Sequence, residues 1–369
     1  MLTLRELLEL MVKRHASDLH LTVGAPPILR IDGKLVKTEF DTLTPDITKK
    51  LAYSIMNERQ RQKFEENSEL DLSFGIEQLS RFRCNVFMQR GNVAVAIRQI
   101  PFKVMSFEEL GVPEVVAKLA ELPRGLVLVT GSTGSGKSTT LAALIDKINN
   151  ERNYHIITVE DPIEYLHRHK NSVVNQREVH SDTKSFANSL KYALRQDPDV
   201  VLIGEMRDLE TMEATLTISE TGHLAFATLH TNSTAEAINR IVDVFPTNQQ
   251  EQVRIQLSFV LQGIVTQQLI PRIGGGRVLA MEILIVTPAV RAVIRDDKIH
   301  QIYSLIQAGA KYGMKTMNQS LMEIFQKRKI SYNDAVGRSS NVAEFEEMVR
   351  QASARSDGTN KSLSEKIER

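Results

Sequence analysis

The hydrophobic rhythm of the chain changes near residue 100. Before it, short helical and alternating stretches interleave. Thr3 to Lys13 sets leucines at helical spacing, whereas Asp18 to Val23 alternates with period two and is broken by Gly24-Ala-Pro-Pro27. Ile28 to Val36 reads as a hairpin turning at Asp32-Gly33. Thr44 to Glu66 reads as helix interrupted near Asn57, and Arg81 to Gln89 and Val93 to Gln99 as strands joined through Arg90-Gly91-Asn92. Segregated helices and antiparallel strands predict a small α+β domain over residues 1–100.

Residues 101–113, Pro101 to Pro113, read as a linker, followed by a short helix from Glu114 to Leu122. From Gly125 onward buried strands alternate with helices. The strand candidates are Gly125–Thr130, His155–Val159, Val200–Ile203, Leu224–Leu229 and Leu279–Val286. That succession predicts an α/β domain, residues 114–337, with a parallel sheet that binds ligands at its strand carboxyl ends. Arg291 to Lys329 is mostly helical in pattern. Residues 338–369 form an extension whose polar end, from about Ala352, is expected to be disordered.

One loop carries the chemistry. Gly131-Ser132-Thr133-Gly134-Ser135-Gly136-Lys137-Ser138 follows an apolar strand and opens a helical pattern that starts with Thr139. Glycines there let backbone N–H groups converge on phosphate oxygens at a helix N-terminus. Lys137 would reach the β- and γ-phosphates of ATP, and Ser138 would hold Mg²⁺. A second strand, Val200–Ile203, ends at Glu205, which would stand near the metal and the attacking water. The strand from His155 runs into Glu160-Asp161-Pro162-Ile163-Glu164, where Glu164 is a general-base candidate. His223 and His230 bracket the strand Leu224–Leu229, and one of them is a candidate γ-phosphate sensor.

Composition narrows the partners. Hydrophobic residues make up 42 % and charged residues 25 %, an ordinary globular mix. The net charge of +1, the absence of tryptophan and 5 % aromatics point away from nucleic acid. A single cysteine, Cys84, leaves no internal disulfide and suits a reducing cytoplasm. The least charged stretch, Ile255 to Pro271, carries four glutamines, so membrane association is expected only through partners. Arg81 and Arg83 alternate against Phe82, Cys84 and Val86, with Arg98 on the neighbouring strand candidate. They read either as solvated charges or as arginine fingers for a nucleotide.

These segments, in this order, resemble the ATPase superfamily of bacterial type II secretion and type IV pili, and closely its pilus-retraction members. The resemblance rests on Ala16–Leu21, Gly24–Pro27, Arg81–Val86, Gly131–Thr139, Glu160–Glu164, Asn175–Val179, Gly204–Asp208, Glu220–Thr231, Ile273–Val278 and Thr287–Arg291. It implies a PAS-like N-terminal domain, a RecA-like phosphate-loop ATPase domain with C-terminal helices, and a ring of six. It implies that Ser132, Thr133, Gly134, Ser135, Gly136, Lys137, Ser138 and Thr139 contact the nucleotide, with Glu160, Asp161 and His223 nearby. Glu164 takes the catalytic-glutamate position, Glu205 that of the Walker B glutamate, and His230 belongs to the histidine box. Arg81, Arg83 and Arg98 are expected near the nucleotide. It further implies a motor on the inner face of the cytoplasmic membrane that acts on an inner-membrane platform protein, with a paralogous retraction ATPase as a further partner. Ala289-Val290-Arg291 stands where the family reads Ala-Ile-Arg, and the tail beyond Gly337 is long for a retraction ATPase. Two alternatives follow, an accessory retraction ATPase and a RecA-like hexameric nucleic-acid motor.

Overall fold

The computed structural model describes residues 2–352 apart from 32, 78 and 101–103. Asp32 of the hairpin turn, the first three linker residues and the tail beyond 352 lie outside the described residues. The chain divides into two compact units. One comprises the residues up to 103 with Ile163–Leu166, and the other comprises the rest.

The first unit contains strands β1 (Asp18–Leu21), β2 (Ile28–Ile31), β3 (Lys34–Lys37), β4 (Glu69–Ile76), β5 (Ser80–Gln89) and β6 (Asn92–Ile100). They form one antiparallel sheet in the order β3-β2-β1-β6-β5-β4. The helix Leu4–Lys13 starts where Thr3 and Glu6 close a reciprocal capping box, and it buries Leu4, Leu7, Leu8 and Met11. These side chains join Leu19, Phe82, Cys84, Val86 and Ile97 in one core. Each fully buried apolar side chain contributes about 1.5–3 kcal/mol. Asn57 caps the helix Glu58–Asn67, which ends the preceding helix Pro45–Tyr53 where the sequence suggested a break. Arg90 and Gly91, both with positive φ, make the two-residue turn between β5 and β6.

The second unit is built on β7 (Gly125–Thr130), β8 (His155–Glu160), β9 (Val173–Glu178), β10 (Val200–Ile203), β11 (Leu224–Leu229), β12 (Leu261–Pro271) and β13 (Arg277–Ile285). Their order is β13-β12-β7-β11-β10-β8-β9. Six strands run parallel, but β13 pairs antiparallel with β12. The expectation that Leu279–Val286 extends the parallel sheet is therefore corrected. A turn through Gly274–Gly276, all at positive φ, folds β13 back as a hairpin. β12 itself takes the second half of the uncharged stretch, whose first half ends the helix Gln250–Val260.

Alternation along the buried strands gives the sheet two apolar faces. Leu126 and Leu128 of β7 face one core, with Ile157, Val201 and Ala225. Val127 and Val129 face the other, with Leu141, Leu144 and Phe226. A third cluster joins Ile270 and Ala280 to Leu321, Ile330 and Phe345. Part of the 338–369 extension is thus ordered, since a helix over 342–352 buries Phe345 completely.

Candidate functional site

All the parallel strands end at the same sheet edge, and the glycine-rich loop springs from the end of β7. Gly131 has φ +136°, and a Cβ there would stand 2.4 Å from the Gln267 carbonyl oxygen. Only glycine fits. Gly134 and Gly136 also take positive φ. The helix Lys137–Glu151 then begins without a side-chain cap, so its first amides are left for an anion. Ser132, Thr133 and Gly134 are exposed, Ser135 is buried, and Gly136, Lys137, Ser138 and Thr139 are half-buried along the loop and first turn. Lys137 Nζ donates to the carbonyl oxygens of Gly131, at 2.7 Å, and Ser132, at 3.1 Å.

β10 lies two places from β7, with β11 between them, so Glu205 follows a strand about 10 Å from the loop strand. Arg207 grips its carboxylate at both oxygens, through Nε at 2.7 Å and Nη2 at 2.7 Å. His230, just past the end of β11, brings Nε2 to 3.1 Å from Glu205 Oε1. Burial pushes the Glu205 carboxyl up, but Arg207 and His230 outweigh it and hold it below the usual carboxylate range. Glu160 ends β8 and accepts hydrogen bonds from Thr158 Oγ1 at 2.6 Å and Gln176 Nε2 at 3.2 Å. Exposed Asp161 is close enough to Arg207 to raise its pKa, behind the larger effect of Glu205. Glu160, Asp161, Glu205 and His230 thus share the carboxyl edge with the loop. Sequence reasoning missed Arg207, although its position two residues after the strand-ending glutamate was visible.

Three sets of expected residues fall elsewhere. His223 precedes β11 at the opposite sheet edge, where its carbonyl accepts from Gly125 N at the start of β7. Its ring nitrogen Nδ1 lies 3.1 Å from the Ile218 carbonyl and 3.1 Å from Thr221 Oγ1. Six residues of strand, roughly 20 Å, separate that edge from the loop of the same chain. The two histidines therefore do not form one cluster. Glu164 is exposed and belongs to the short segment grouped with the first unit.

The arginines also belong to the first unit. Arg83 pairs across strands with Arg98, Arg98 with Asp18, and Asp18 with Arg30, which puts all four on one sheet face. Arg98 Nε lies 2.7 Å from Asp18 Oδ1, Arg30 Nε lies 3.7 Å from Oδ2, and Arg81 Nη2 donates to Ser73 Oγ at 2.9 Å. Burial pushes the Asp18 carboxyl up, but Ser17 and Arg98 outweigh it and hold it low.

A glycine cradle opening an uncapped helix, with a buried-edge carboxylate two strands away, defines a phosphate-loop protein of mixed α/β fold. Comparison with known proteins narrows the class. The sequence profile described as "Type II/IV secretion system protein" matches residues 2–275, and the chain belongs to that family. It is 51 % identical to the type IV pilus retraction ATPase PilT of Pseudomonas aeruginosa over 89 % of this chain and 96 % of that protein. It is 40 % identical to the type IV pilus ATPase PilU of the same organism over 94 % of this chain and 91 % of that one. The crystal structure of a pilus retraction motor PilT with bound ADP superposes with a TM-score of 0.89 at 54 % identity, covering 94 % of this chain and all of that one. Among the described residues no helix is long and apolar enough to cross a membrane.

Proposed function

We propose that this chain is a hexameric motor that hydrolyses ATP to drive type IV pilus retraction. The observation that carries the reading is its 51 % identity to a retraction ATPase along 96 % of that protein's length. The intact loop and the Glu205–His230 pair supply the chemistry it requires.

In this reading the loop amides and Lys137 bind the β- and γ-phosphates, and the uncapped helix end favours their charge. The donor set suits Mg²⁺, because the Ser138 hydroxyl and an ionised Glu205 are hard oxygen ligands. When bound, the ion neutralises phosphate charge and holds the phosphate oxygens in place. Glu205 and His230 orient water at the γ-phosphate, with Glu164 as general base. Glu160 and Asp161 complete the acidic edge. Arg81, Arg83 and Arg98 act as fingers that stabilise charge developing on the transferred phosphoryl group. His223, expected near the nucleotide, stands at the opposite sheet edge from this chain's own phosphate loop.

Residues 1–100 act as a PAS-like domain, 101–113 as the linker, and 114–337 as a RecA-like ATPase domain. Losing the γ-phosphate removes the charge that draws the arginines, so the angle between the domains changes with hydrolysis. The ring passes that motion to an inner-membrane platform protein at the cytoplasmic face of the membrane, and pilin leaves the fibre base.

The test is complementation of a host lacking its own retraction ATPases. Wild type should restore retraction and Glu205→Ala should not. A wild type that hydrolyses ATP yet restores nothing would sink the self-sufficient motor. A second reading, an accessory retraction ATPase, draws on the longer match to PilU; it predicts rescue only on co-expression with a principal motor.

A further inference from the structure

The acidic loop closes on a single side chain. β8 ends at Glu160, the chain leaves the sheet through residues 161–166, and His167 begins its return towards β9. Gln176 of β9 is level with Thr158 of β8 in the parallel register, so Thr158, Glu160 and Gln176 share one face of the sheet. Gln176 Nε2 donates to Glu160 Oε1 at 3.2 Å, and Gln176 Oε1 accepts from the His167 backbone N–H at 2.8 Å. One carboxamide thus ties the exit of the loop to its return. The two partners also fix which way round the amide sits, because an ionised carboxylate only accepts and a backbone N–H only donates.

The return foot is itself anchored. Asn149, fully buried near the end of the helix Lys137–Glu151, donates from Nδ2 to the Arg168 carbonyl at 2.7 Å and accepts from Lys170 N at 3.2 Å. Its own carbonyl accepts from Asn171 N at 3.0 Å, and Lys170 Nζ lies 2.7 Å from Asp146 Oδ1. Residues 168–171 are therefore held by the helix that opens at the phosphate loop. Glu164, within the loop, is exposed, so its place depends on where the two feet stand.

We propose that Gln176 is a positioning residue of the reaction, a staple that holds both feet of the acidic loop and so fixes where Glu164 presents its carboxylate. Glutamine suits the place because it donates at one end and accepts at the other. A methionine would do neither, and a glutamate would face the Glu160 carboxylate with a second negative charge. Gln176 acts through the loop and touches no substrate. This inference rests on the reading of Glu164 as general base and adds to it a residue outside the acidic segment.

The test uses full-length protein, with ATPase rates and ADP affinity measured side by side. Gln176→Met should lower kcat by about tenfold to a hundredfold, the usual cost of a misplaced catalytic group, and leave KM for ATP and ADP affinity nearly unchanged. Gln176→Glu adds a readout that a merely structural role would not move. The introduced carboxyl and Glu160 would share a proton with a raised apparent pKa, and the protonated form restores both bonds, donating to Glu160 and accepting from His167 N–H. Its kcat relative to wild type should therefore recover as pH falls from about 8 to about 6, while the Gln176→Met ratio stays low throughout. Burial pushes the His167 ring down to about 4, so that ring stays neutral over this range. A wild-type kcat in Gln176→Met, or a Gln176→Glu ratio that does not change with pH, would overturn the proposal. Should Gln176→Met fail to fold, Gln176→Glu compared with itself across pH decides alone. Glu164→Gln is the control: turnover at the wild-type rate there would remove Glu164 from the mechanism and the proposal with it. An inactive Glu164→Gln beside a fully active Gln176→Met would reject the staple alone.

Discussion

His230 Nε2 lies 3.1 Å from Glu205 Oε1, across the ends of two adjacent parallel strands. Arg207 holds the same carboxylate at both oxygens, sharing Oε1 with His230. The register of β10 on β11 makes the pair possible: Ile203 ends β10 level with Ala227, and β11 runs two residues further to Leu229 before His230, just as Glu205 lies two residues past Ile203. Glu205 is thereby fixed in place and kept ionised.

Replacing Arg207 by alanine tests that second point. Burial pushes the Glu205 carboxyl up, and the guanidinium is the chief opponent of that push. Without it the carboxyl pKa rises, and the acid limb of the ATPase pH profile moves to higher pH. The stability sign follows from the same shift. A carboxyl lowered in the native state contributes stability that is fully present above its unfolded value and lost as pH falls through the native one. Arg207→Ala should therefore flatten the acid-side loss of stability seen in the wild type. An acid limb that does not move would show that Arg207 plays no part in keeping Glu205 charged.

Gly131→Ala should abolish nucleotide binding. A methyl group there would press on the Gln267 carbonyl in a backbone conformation that L residues rarely adopt. The strain alone is worth about 1–3 kcal/mol. Urea denaturation should report a loss of at least that order, and calorimetry should detect no ADP binding. Wild-type affinity in this variant would mean that the loop is not the phosphate site.

Asp18 ties down the arginine face of the N-terminal sheet through Arg98 and Arg30. If those arginines serve a nucleotide, Arg81→Ala and Arg98→Ala should slow hydrolysis tenfold or more while changing ATP affinity little. Asp18→Asn should do the opposite of a finger mutation. It leaves the guanidinium groups present but unanchored, and should lower the stability of the first unit. That loss should be full above the ordinary carboxylate range and fade as pH falls through the lowered Asp18 value. ATP turnover at the wild-type rate in both arginine variants would remove them from the mechanism.

Much of this architecture is legible in the sequence because its signals are local. The loop needs glycine at fixed positions, caps such as Thr3 and Asn57 mark helix starts, and the buried strands read as apolar runs. What was hidden depends on pairing between distant segments. β12 carries Thr266, Gln267 and Gln268 in a sheet whose other central strands are almost wholly apolar, so it gives no strand signal. β9 is a polar edge strand, hidden for a related reason. His223 and His230 look equivalent as flanks of one strand, but strand direction sends them to opposite sheet edges. The Arg30–Asp18–Arg98–Arg83 row exists only through cross-strand register, which no single segment encodes.

The extension beyond residue 337 yields the last prediction. Phe345 is fully buried and packs against Phe325 and Tyr332, with ring centroids 6.4 and 6.5 Å apart. One turn of the same helix offers Glu344, whose carboxylate accepts from Tyr303, Gln307 and Asn318. Burial and Glu344 together push the Tyr303 phenol up, so it stays a donor across the working pH range. The helix over 342–352 is thus bolted to the C-terminal helices by one aromatic plug and one carboxylate. Phe345→Ala should cost about 3–5 kcal/mol, the usual range for a buried phenylalanine. Because Phe345 belongs to a cluster separate from the two main sheet cores, that loss should be local. Hydrogen exchange should show residues 342–352 losing protection while β7 and β11 keep theirs. Equal loss in β7 would show that the extension is part of the global folding unit, and no loss at all would show that the helix is held by something other than this plug.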